Sequence, residues 1–333
     1  MMKFMNLALL ATSVLMLGTA QAETLKLTHQ WPQGDGRDKG ARQFADEVVK
    51  RDPSFKFRIY PGASLISNPI KQIDALAGGS IDLAIFPLIY GVGKAPEFSI
   101  TILPGAVSSV QDAMRFKGTD YETQLQAVAE KQGFHILTWW WTEGGIANRI
   151  RPTTTPQTVQ GLKFRGADRT VDTVLEKAGA SVYAMPSTEL YNAMQSGVLD
   201  GLMTSFETLM SMRLYEQVKY ATLGGDYTIF VVFQPLVIST RAWNALTLEQ
   251  KKIFEQAADA TLADFNADQD KIKAEVVARF KAAKVDVRQM SKDEYDQWLT
   301  LAKNTAWPAY ASISPQAKRL LEAVEQLNQT AQK

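Results

Sequence analysis

Short apolar segments alternate with amphipathic ones along most of the chain. Residues 55–60 (Phe-Lys-Phe-Arg-Ile-Tyr) alternate strictly between apolar and polar side chains, which predicts a half-buried strand. Residues 38–51 place Ala41, Phe44 and Val48 on one helical face, which predicts an amphipathic helix. The same reasoning predicts further strands at 25–30, 81–86, 134–141, 162–165, 181–184, 199–203, 229–233 and 235–238, and further helices at 69–78, 168–178, 187–196, 248–283, 292–304 and 315–331.

The order of these elements predicts an α/β protein with two lobes, one on each side of residue 145. Strands and helices alternate within each half, which favours mixed or parallel sheets flanked by helices. We expect lobe I to comprise residues 23–142 plus 230–268, and lobe II residues 143–229 plus 269–333. The long helix would span both lobes, with hinges near 143–147 and 228–235. Ligands of such folds bind in the crevice between lobes, at the carboxyl ends of strands.

The N-terminus has the features of a secretory signal peptide. Lys3 precedes an apolar run from Leu7 to Leu17, and the small residues of Ala20-Gln21-Ala22 follow it. The alternative is a membrane anchor, but the run is shorter than the ~20 apolar residues that a span needs. We therefore predict secretion, cleavage after Ala22, and no direct membrane insertion afterwards.

The composition excludes several classes of function. Without Lys3 the chain carries equal numbers of basic and acidic residues, so it has no global field to attract nucleic acid or an anionic membrane. Cysteine is absent, which excludes disulfides, thiol catalysis and zinc–thiolate sites. A two-histidine metal site would need His29 and His135 together. We predict no cofactor and no metal.

Several segments together resemble the periplasmic solute-binding subunits of TRAP transporters, of the dicarboxylate-binding (DctP) type. The resemblance covers nearly the whole mature chain, with Ile66 replacing a usual glycine after Tyr60-Pro61. The most specific part of the resemblance is the run of motifs between residues 161 and 201, which stand in a fixed order and spacing. The similar segments are 25–27, 44–48, 59–65, 78–82, 161–165, 179–180, 185–186, 189–191, 193–195 and 198–201.

The resemblance implies a two-lobed periplasmic binding protein fold and a non-enzymatic role. Such a protein would capture a small organic acid and deliver it to the small and large subunits of an ion-gradient-driven TRAP permease, acting as a monomer. A periplasmic enzyme acting on a small carboxylate stays an alternative, although G-x-S-x-G, HExxH, Walker A and GxGxxG motifs are absent. A sensor that presents its ligand to a membrane receptor is a third possibility.

Arg165 is the main candidate for ligand binding, because it matches the family's ligand-binding arginine. A guanidinium offers a planar fork of donors that fits a carboxylate bidentately. The alternative is a surface arginine or an interlobe ion pair. Gln30 aligns with a polar ligand contact of the family, whereas His29 would point to the opposite face of the same strand.

The chain departs from the family at several positions. Thr204 and Ser205 stand where the family often carries an asparagine contact, and Gly144-Gly145, preceded by Glu143, stands where many members have a second arginine. Glu143 could accept from a ligand hydroxyl or bind an amine. Pro87 and Ser187 replace the acidic and stacking residues of sialic-acid binders, so sialic acid is disfavoured.

The remaining candidates are mainly aromatic. Trp140, Tyr90 and Tyr227 could form an aromatic wall for an apolar or ring portion of the ligand; the alternative is ordinary core packing. Alternation puts Trp139 and Trp141 on one face and Trp140 on the other. Arg169, at the predicted start of a helix, would form either a surface salt bridge or a ligand contact.

Overall fold

A computed structural model describes residues 24–331, and the predicted signal peptide lies outside the described residues. The strands are β1 (Thr24–Thr28), β2 (Lys56–Tyr60), β3 (Leu83–Ile85), β4 (Phe134–Ile136), β5 (Trp141–Asn148), β6 (Lys163–Arg165), β7 (Ser181–Val182), β8 (Gly201–Ser205), β9 (Tyr220–Thr222), β10 (Val231–Phe233), β11 (Leu236–Ser239) and β12 (Asp286–Arg288). The α-helices are α1 (Gly36–Arg51), α2 (Gln72–Ala77), α3 (Val110–Ala113), α4 (Asp120–Lys131), α5 (Arg169–Lys177), α6 (Leu190–Ser196), α7 (Phe206–Ser211), α8 (Thr240–Ala245), α9 (Leu248–Ala282), α10 (Lys292–Asn304), α11 (Ala306–Ala311) and α12 (Pro315–Ala331).

The first lobe is built on a five-stranded sheet in the order β2-β1-β3-β11-β4. β1 pairs with β2 and β3 in parallel, as the alternation of strands and helices predicts. β11 runs antiparallel between β3 and β4, with Val237 opposite both Ala84 and Ile136. The sheet is therefore mixed, because β11, which comes from a distant part of the chain, runs antiparallel to both of its neighbours.

The second lobe is built on a sheet in the order β12-β9-β5-β8-β6-β7, with β10 added to the start of β5. β8, β6 and β7 are parallel to one another, while β5 is antiparallel to its neighbours β8 and β9. The two sheets and the long helix confirm the predicted two-lobed α/β fold.

The segment predicted as a single strand over 134–141 is divided between the two sheets. β4 ends at Ile136, and the N–H groups of Leu137 and Thr138 both donate to the carbonyl of Leu236. The Thr138 hydroxyl accepts from the Leu236 N–H at 2.8 Å. These bonds hold the chain in place while it leaves the first sheet, and β5 then begins at Trp141 in the second.

The long helix α9 contributes to the cores of both lobes. Phe254 and Phe265 pack in the first-lobe core, whereas Val276 and Phe280 pack in the second-lobe core. A single rigid element therefore runs along both lobes. No helix among residues 24–331 is long and apolar enough to cross a membrane.

The C-terminal helices contact both lobes. α10 and α11 lie against α5 of the second lobe, whereas α12 lies against α4 and the 3₁₀ turn Pro96–Thr101 of the first. The predicted lobe boundaries place all of 269–333 in lobe II, whereas α12 packs against elements of the first lobe. The boundaries themselves stay a prediction.

Candidate functional site

Arg165 ends β6 and is almost completely buried, with 2% of its surface exposed. Its Nε donates to the Met185 carbonyl and its Nη1 to the Met203 carbonyl, each at 3.0 Å. None of the ion pairs formed within residues 24–331 includes Arg165. Its positive charge is therefore held by main-chain oxygens, without a carboxylate within 4.0 Å.

Asp172 of α5 is the acid whose ionisation responds to Arg165. Burial raises the pKa of Asp172 to about 7, and the charge of Arg165 acts in the opposite direction. Asp172 Oδ1 is buried without a hydrogen-bond partner among the residues described. An acid with this pKa is only partly ionised at neutral pH, so it neutralises Arg165 incompletely.

Gln30, Tyr90 and Ser187 form a buried hydrogen-bonded group across the two lobes. Gln30 Nε2 donates to Ser187 Oγ at 2.8 Å and to the Tyr90 hydroxyl at 3.3 Å. The Tyr90 hydroxyl in turn accepts from the Ser187 N–H at 3.1 Å. Gln30 Oε1 is buried and has no partner within the described part of the chain. The lobes are thus in contact, in a closed arrangement.

The Arg165 guanidinium and the Gln30 group meet at one segment of the second lobe. Met185 supplies a carbonyl to Arg165, and two residues later Ser187 binds Gln30 and Tyr90. Three of the predicted site residues therefore lie around residues 185–187. Ser187, which the sequence showed only as a departure from sialic-acid binders, is the residue that joins them.

No second arginine could occupy the Gly144-Gly145 position of this chain. A Cβ at Gly144 would collide with the Phe230 ring, and one at Gly145 would collide with Leu223. Both glycines line a small cavity of about 10 Å³, together with Met203. Apolar side chains therefore fill the space beside both glycines.

Trp140 is a correction to the predicted aromatic wall. Its ring stacks on Phe265 of α9 at 4.7 Å between centroids and lies against Gly40 of α1. It belongs to the first-lobe core and not to the group around Gln30. The predicted alternation itself is confirmed, because Trp139 and Trp141 pack together on Phe233 on the other side.

Glu143 already has a charged partner. Its Oε2 lies 2.7 Å from Lys273 Nζ of α9, and Lys273 also donates to the Gly225 carbonyl. The pair joins β5 to the long helix near a predicted hinge. A ligand amine or hydroxyl would therefore have to compete with Lys273 for this carboxylate.

Tyr227 and Arg169 lie apart from the Gln30 group. Tyr227 stacks on Tyr295 of α10 at 5.5 Å and borders the small cavity beside Gly144. Arg169 begins α5 with an exposed side chain, and it takes part in no ion pair within the described chain. The structure therefore supports neither of the two roles considered for Arg169.

Thr204 and Ser205 come directly after Met203, whose carbonyl accepts a hydrogen bond from Arg165. Thr204 is buried in β8 opposite Gly145. Ser205 caps α7: its Oγ accepts from the Thr208 N–H and from Arg37 Nη1 at 3.2 Å. The Ser205 hydroxyl is therefore already engaged by Arg37, a residue that the sequence analysis missed because it lies in the first turn of an amphipathic helix.

The described residues provide no metal site, and the large surface groove lies away from the predicted site residues. Residues 24–331 contain no group of three metal-binding side chains, and His29 instead contacts Asp38, at 3.1 Å. A surface groove of about 740 Å³ lies between α10 and the end of α5, and none of the predicted site residues lines it. The buried Arg165 region is the better candidate, because it combines an unpaired charge with interlobe contacts.

Two α/β lobes closed over a buried, unpaired cation define a solute-binding protein of the two-lobed class. Residues 27–312 match the family model for bacterial extracellular solute-binding protein, family 7 (DctP), so the chain belongs to that family. Members of this family are periplasmic solute-binding proteins that bind small organic acids and work with TRAP permeases.

Relatives and solved structures agree with this assignment. The chain is 34% identical over 317 residues to a solute-binding protein of Albidiferax ferrireducens, covering 93% of each chain. The structure of a TRAP periplasmic solute-binding protein from Rhodoferax ferrireducens with bound malonate is similar at a TM-score of 0.89 and 33% identity, covering 91% of this chain and 98% of that one. A protein of Desulfovibrio salexigens with bound orotic acid shares the fold, with a TM-score of 0.84, 20% identity, and coverage of 91% and 98%.

Proposed function

We propose that Arg165 binds the carboxylate of a small organic acid between the two lobes. The observation that carries the proposal is the buried guanidinium, which main-chain oxygens hold and which has no carboxylate within 4.0 Å. A buried charge without a counter-ion is costly, and an anionic ligand would supply the missing charge. A carboxylate also fits the planar donors of a guanidinium.

The similar proteins support a carboxylate but leave its identity open. The structures named above contain malonate and orotic acid, two acids of different shape. One arginine and no room for a second favour recognition of one carboxylate by charge. The rest of the ligand would meet Gln30, whose Oε1 is buried without a partner among the described residues.

The delivery step and the cellular location belong to the same proposal. The protein would be exported, cleaved after Ala22, and act as a monomer in the periplasm. It would pass its ligand to the small and large membrane subunits of a TRAP permease. Hinges near 143–147 and 228–235 would let the lobes open, since β5 and β10 pair at this crossing.

Arg165→Ala tests the anion site. We expect it to weaken binding of the carboxylate by about 2–5 kcal/mol, the usual cost of removing one partner of a buried charge pair. A thermal-shift screen of organic acids, with malonate included, identifies the acid, since a ligand that binds only the folded state raises its stability. Titration calorimetry then gives Kd for each variant.

Arg169→Ala is the matched control, because it removes an exposed arginine four residues away. We expect its Kd to equal that of the wild type. The neutral amide of the bound acid is the second control and should not bind. Unchanged affinity in Arg165→Ala, or equal binding of acid and amide, would contradict the proposal.

A further inference from the structure

Arg37 is a fully buried arginine outside the proposed anion site. It lies in the first turn of α1, which packs on the first-lobe sheet. Its Nε and Nη2 each donate to a carboxylate oxygen of Asp35 at 2.7 Å. This bidentate pair fixes the guanidinium at the end of the first lobe.

Arg37 also reaches the second lobe, through hydrogen bonds of Nη1 and through an ion-pair contact with Glu207. Nη1 lies 3.2 Å from Ser205 Oγ and 3.1 Å from Thr208 Oγ1, and Nε lies 3.1 Å from Glu207 Oε2. Nη1 also donates to Gln234 Oε1 at 2.8 Å, on the segment between β10 and β11. We call Asp35, Arg37, Ser205, Glu207 and Thr208 the Arg37 cluster.

Trp31 adds a second link between the same two lobes. Its ring lies under the Arg37 guanidinium, 3.9 Å from the guanidinium carbon. Its Nε1 donates to Thr208 Oγ1 at 3.2 Å. Thr208, which belongs to α7 of the second lobe, therefore accepts hydrogen bonds from two first-lobe side chains.

The close approach of α1 and α7 depends on Gly36. A Cβ at this position would collide with Glu207 Oε1. Glu207 is 3% exposed, and burial raises its pKa to about 7, against the opposing effect of Arg37. Asp268 of α9 also acts on Glu207, and Lys39, Lys271 and Glu275 line the adjoining cavity.

The end of β8 connects the Arg37 cluster to the proposed anion site. The Met203 carbonyl accepts from Arg165, and the Ser205 hydroxyl accepts from Arg37 two residues later. One short segment is thus held by a second-lobe cation and a first-lobe cation. Separation of the lobes would break the contacts of Arg37 with Ser205 and Thr208, and hydrogen bonds to water would have to replace them.

We propose that Arg37, Glu207 and Thr208 are positioning residues that stabilise the closed arrangement of the lobes and thereby strengthen ligand binding without touching the ligand. The effect on ligand affinity rests on the proposed function, whereas the effect on closure does not. A closed form that is stabilised before binding raises apparent affinity, because less free energy is spent on closing.

Thr208→Val and Glu207→Gln test the cluster with little change of volume. Since the chain has no cysteine, Lys50→Cys on α1 and Lys177→Cys on α5 give one spin label on each lobe. Pulsed electron–electron double resonance then gives the distribution of distances between the two spin labels in the absence of ligand. We expect each variant to reduce the ratio of closed to open molecules by about fivefold, as for the loss of a typical hydrogen bond.

Thr153→Val is the matched control. Thr153 is also buried and accepts a side-chain hydrogen bond, from Asn148 at 2.9 Å, but both residues belong to the second lobe. It should cost stability and leave the interlobe distance unchanged. Equal distance distributions in all variants, or a wild type that is already open, would overturn the proposal. Because no ligand is present, neither result depends on the carboxylate site.

Discussion

Two buried tyrosines of this protein differ in whether their hydroxyl has a partner. Tyr121 and Tyr310 are each 1% exposed. The Tyr310 hydroxyl donates to the Glu97 carbonyl at 2.8 Å, whereas the Tyr121 hydroxyl is buried with no partner among residues 24–331. Burial raises the pKa of both hydroxyls, so both stay protonated.

We expect Tyr121→Phe to raise the free energy of unfolding by about 1 kcal/mol, because it removes an unsatisfied buried hydroxyl. Tyr310→Phe should lower it by about 1 kcal/mol, because it removes a hydrogen bond and leaves the Glu97 carbonyl without its donor. Urea denaturation followed by circular dichroism measures both. A comparable loss in the two variants would show that the Tyr121 hydroxyl has a partner in solution.

At the scale of single residues, the sequence indicates candidate residues but does not predict which other residues they contact in the fold. The family-like segment 161–165 identifies Arg165, and the end of the first strand identifies Gln30. Alternation divides the tryptophans correctly into two faces, but it does not tell which face meets a ligand, so Trp140 was misassigned. Arg37 was missed because Asp35-Gly36-Arg37-Asp38 has the composition of a solvent-exposed helix start; its burial depends on α7, which is distant in sequence.

The long helix α9 begins with a reciprocal cap. The Thr247 hydroxyl accepts from the Gln250 N–H, and the Gln250 side chain accepts from the Thr247 N–H at 3.0 Å. Both bonds satisfy amide groups that the first turn of a helix leaves free. The cap therefore fixes where a helix shared by both lobes begins.

Thr247→Ala should lower the free energy of unfolding by about 0.5–2 kcal/mol, the usual effect of losing an N-cap side chain. The neighbouring Leu248→Ala is the control, since Leu248 is 80% exposed and we expect a change within about 0.5 kcal/mol. Chemical denaturation of both variants checks the prediction. A smaller loss for Thr247→Ala than for Leu248→Ala would exclude a role for the cap.

Elements with strong periodicity were predicted well, and some short strands were also predicted, such as 162–165 for β6 and 181–184 for β7, whereas other short strands were not. The predicted helix 248–283 matches α9 (Leu248–Ala282) within one residue, and 292–304 matches α10. β9 and β12 were missed because each has three residues, too few to show alternation, and they are strands only through pairing with each other and with β5.

At the scale of the whole molecule, one apolar core continues across both lobes. Its members include Phe86 and Phe134 of the first lobe and Phe164 and Val171 of the second. Trp307 of α11 belongs to the same core. Together with α9, this continuity should prevent one lobe from unfolding while the other stays folded.

We therefore expect a single unfolding transition in differential scanning calorimetry, with equal calorimetric and van't Hoff enthalpies. The ligand should shift this transition to higher temperature without dividing it. Two resolved transitions in the free protein would contradict the prediction and show that the lobes are independent folding units.

The position of β11 sets an order for the folding of the first sheet. β11 lies between β3 and β4, yet almost the whole second sheet is encoded between Ile136, where β4 ends, and Leu236, where β11 begins. A nascent chain that has not reached Ser239 leaves one edge of β3 unpaired and β4 without a strand partner in its sheet, and such edges pair readily with other chains. Aggregation during synthesis is therefore a hazard that ends only when this late strand is inserted.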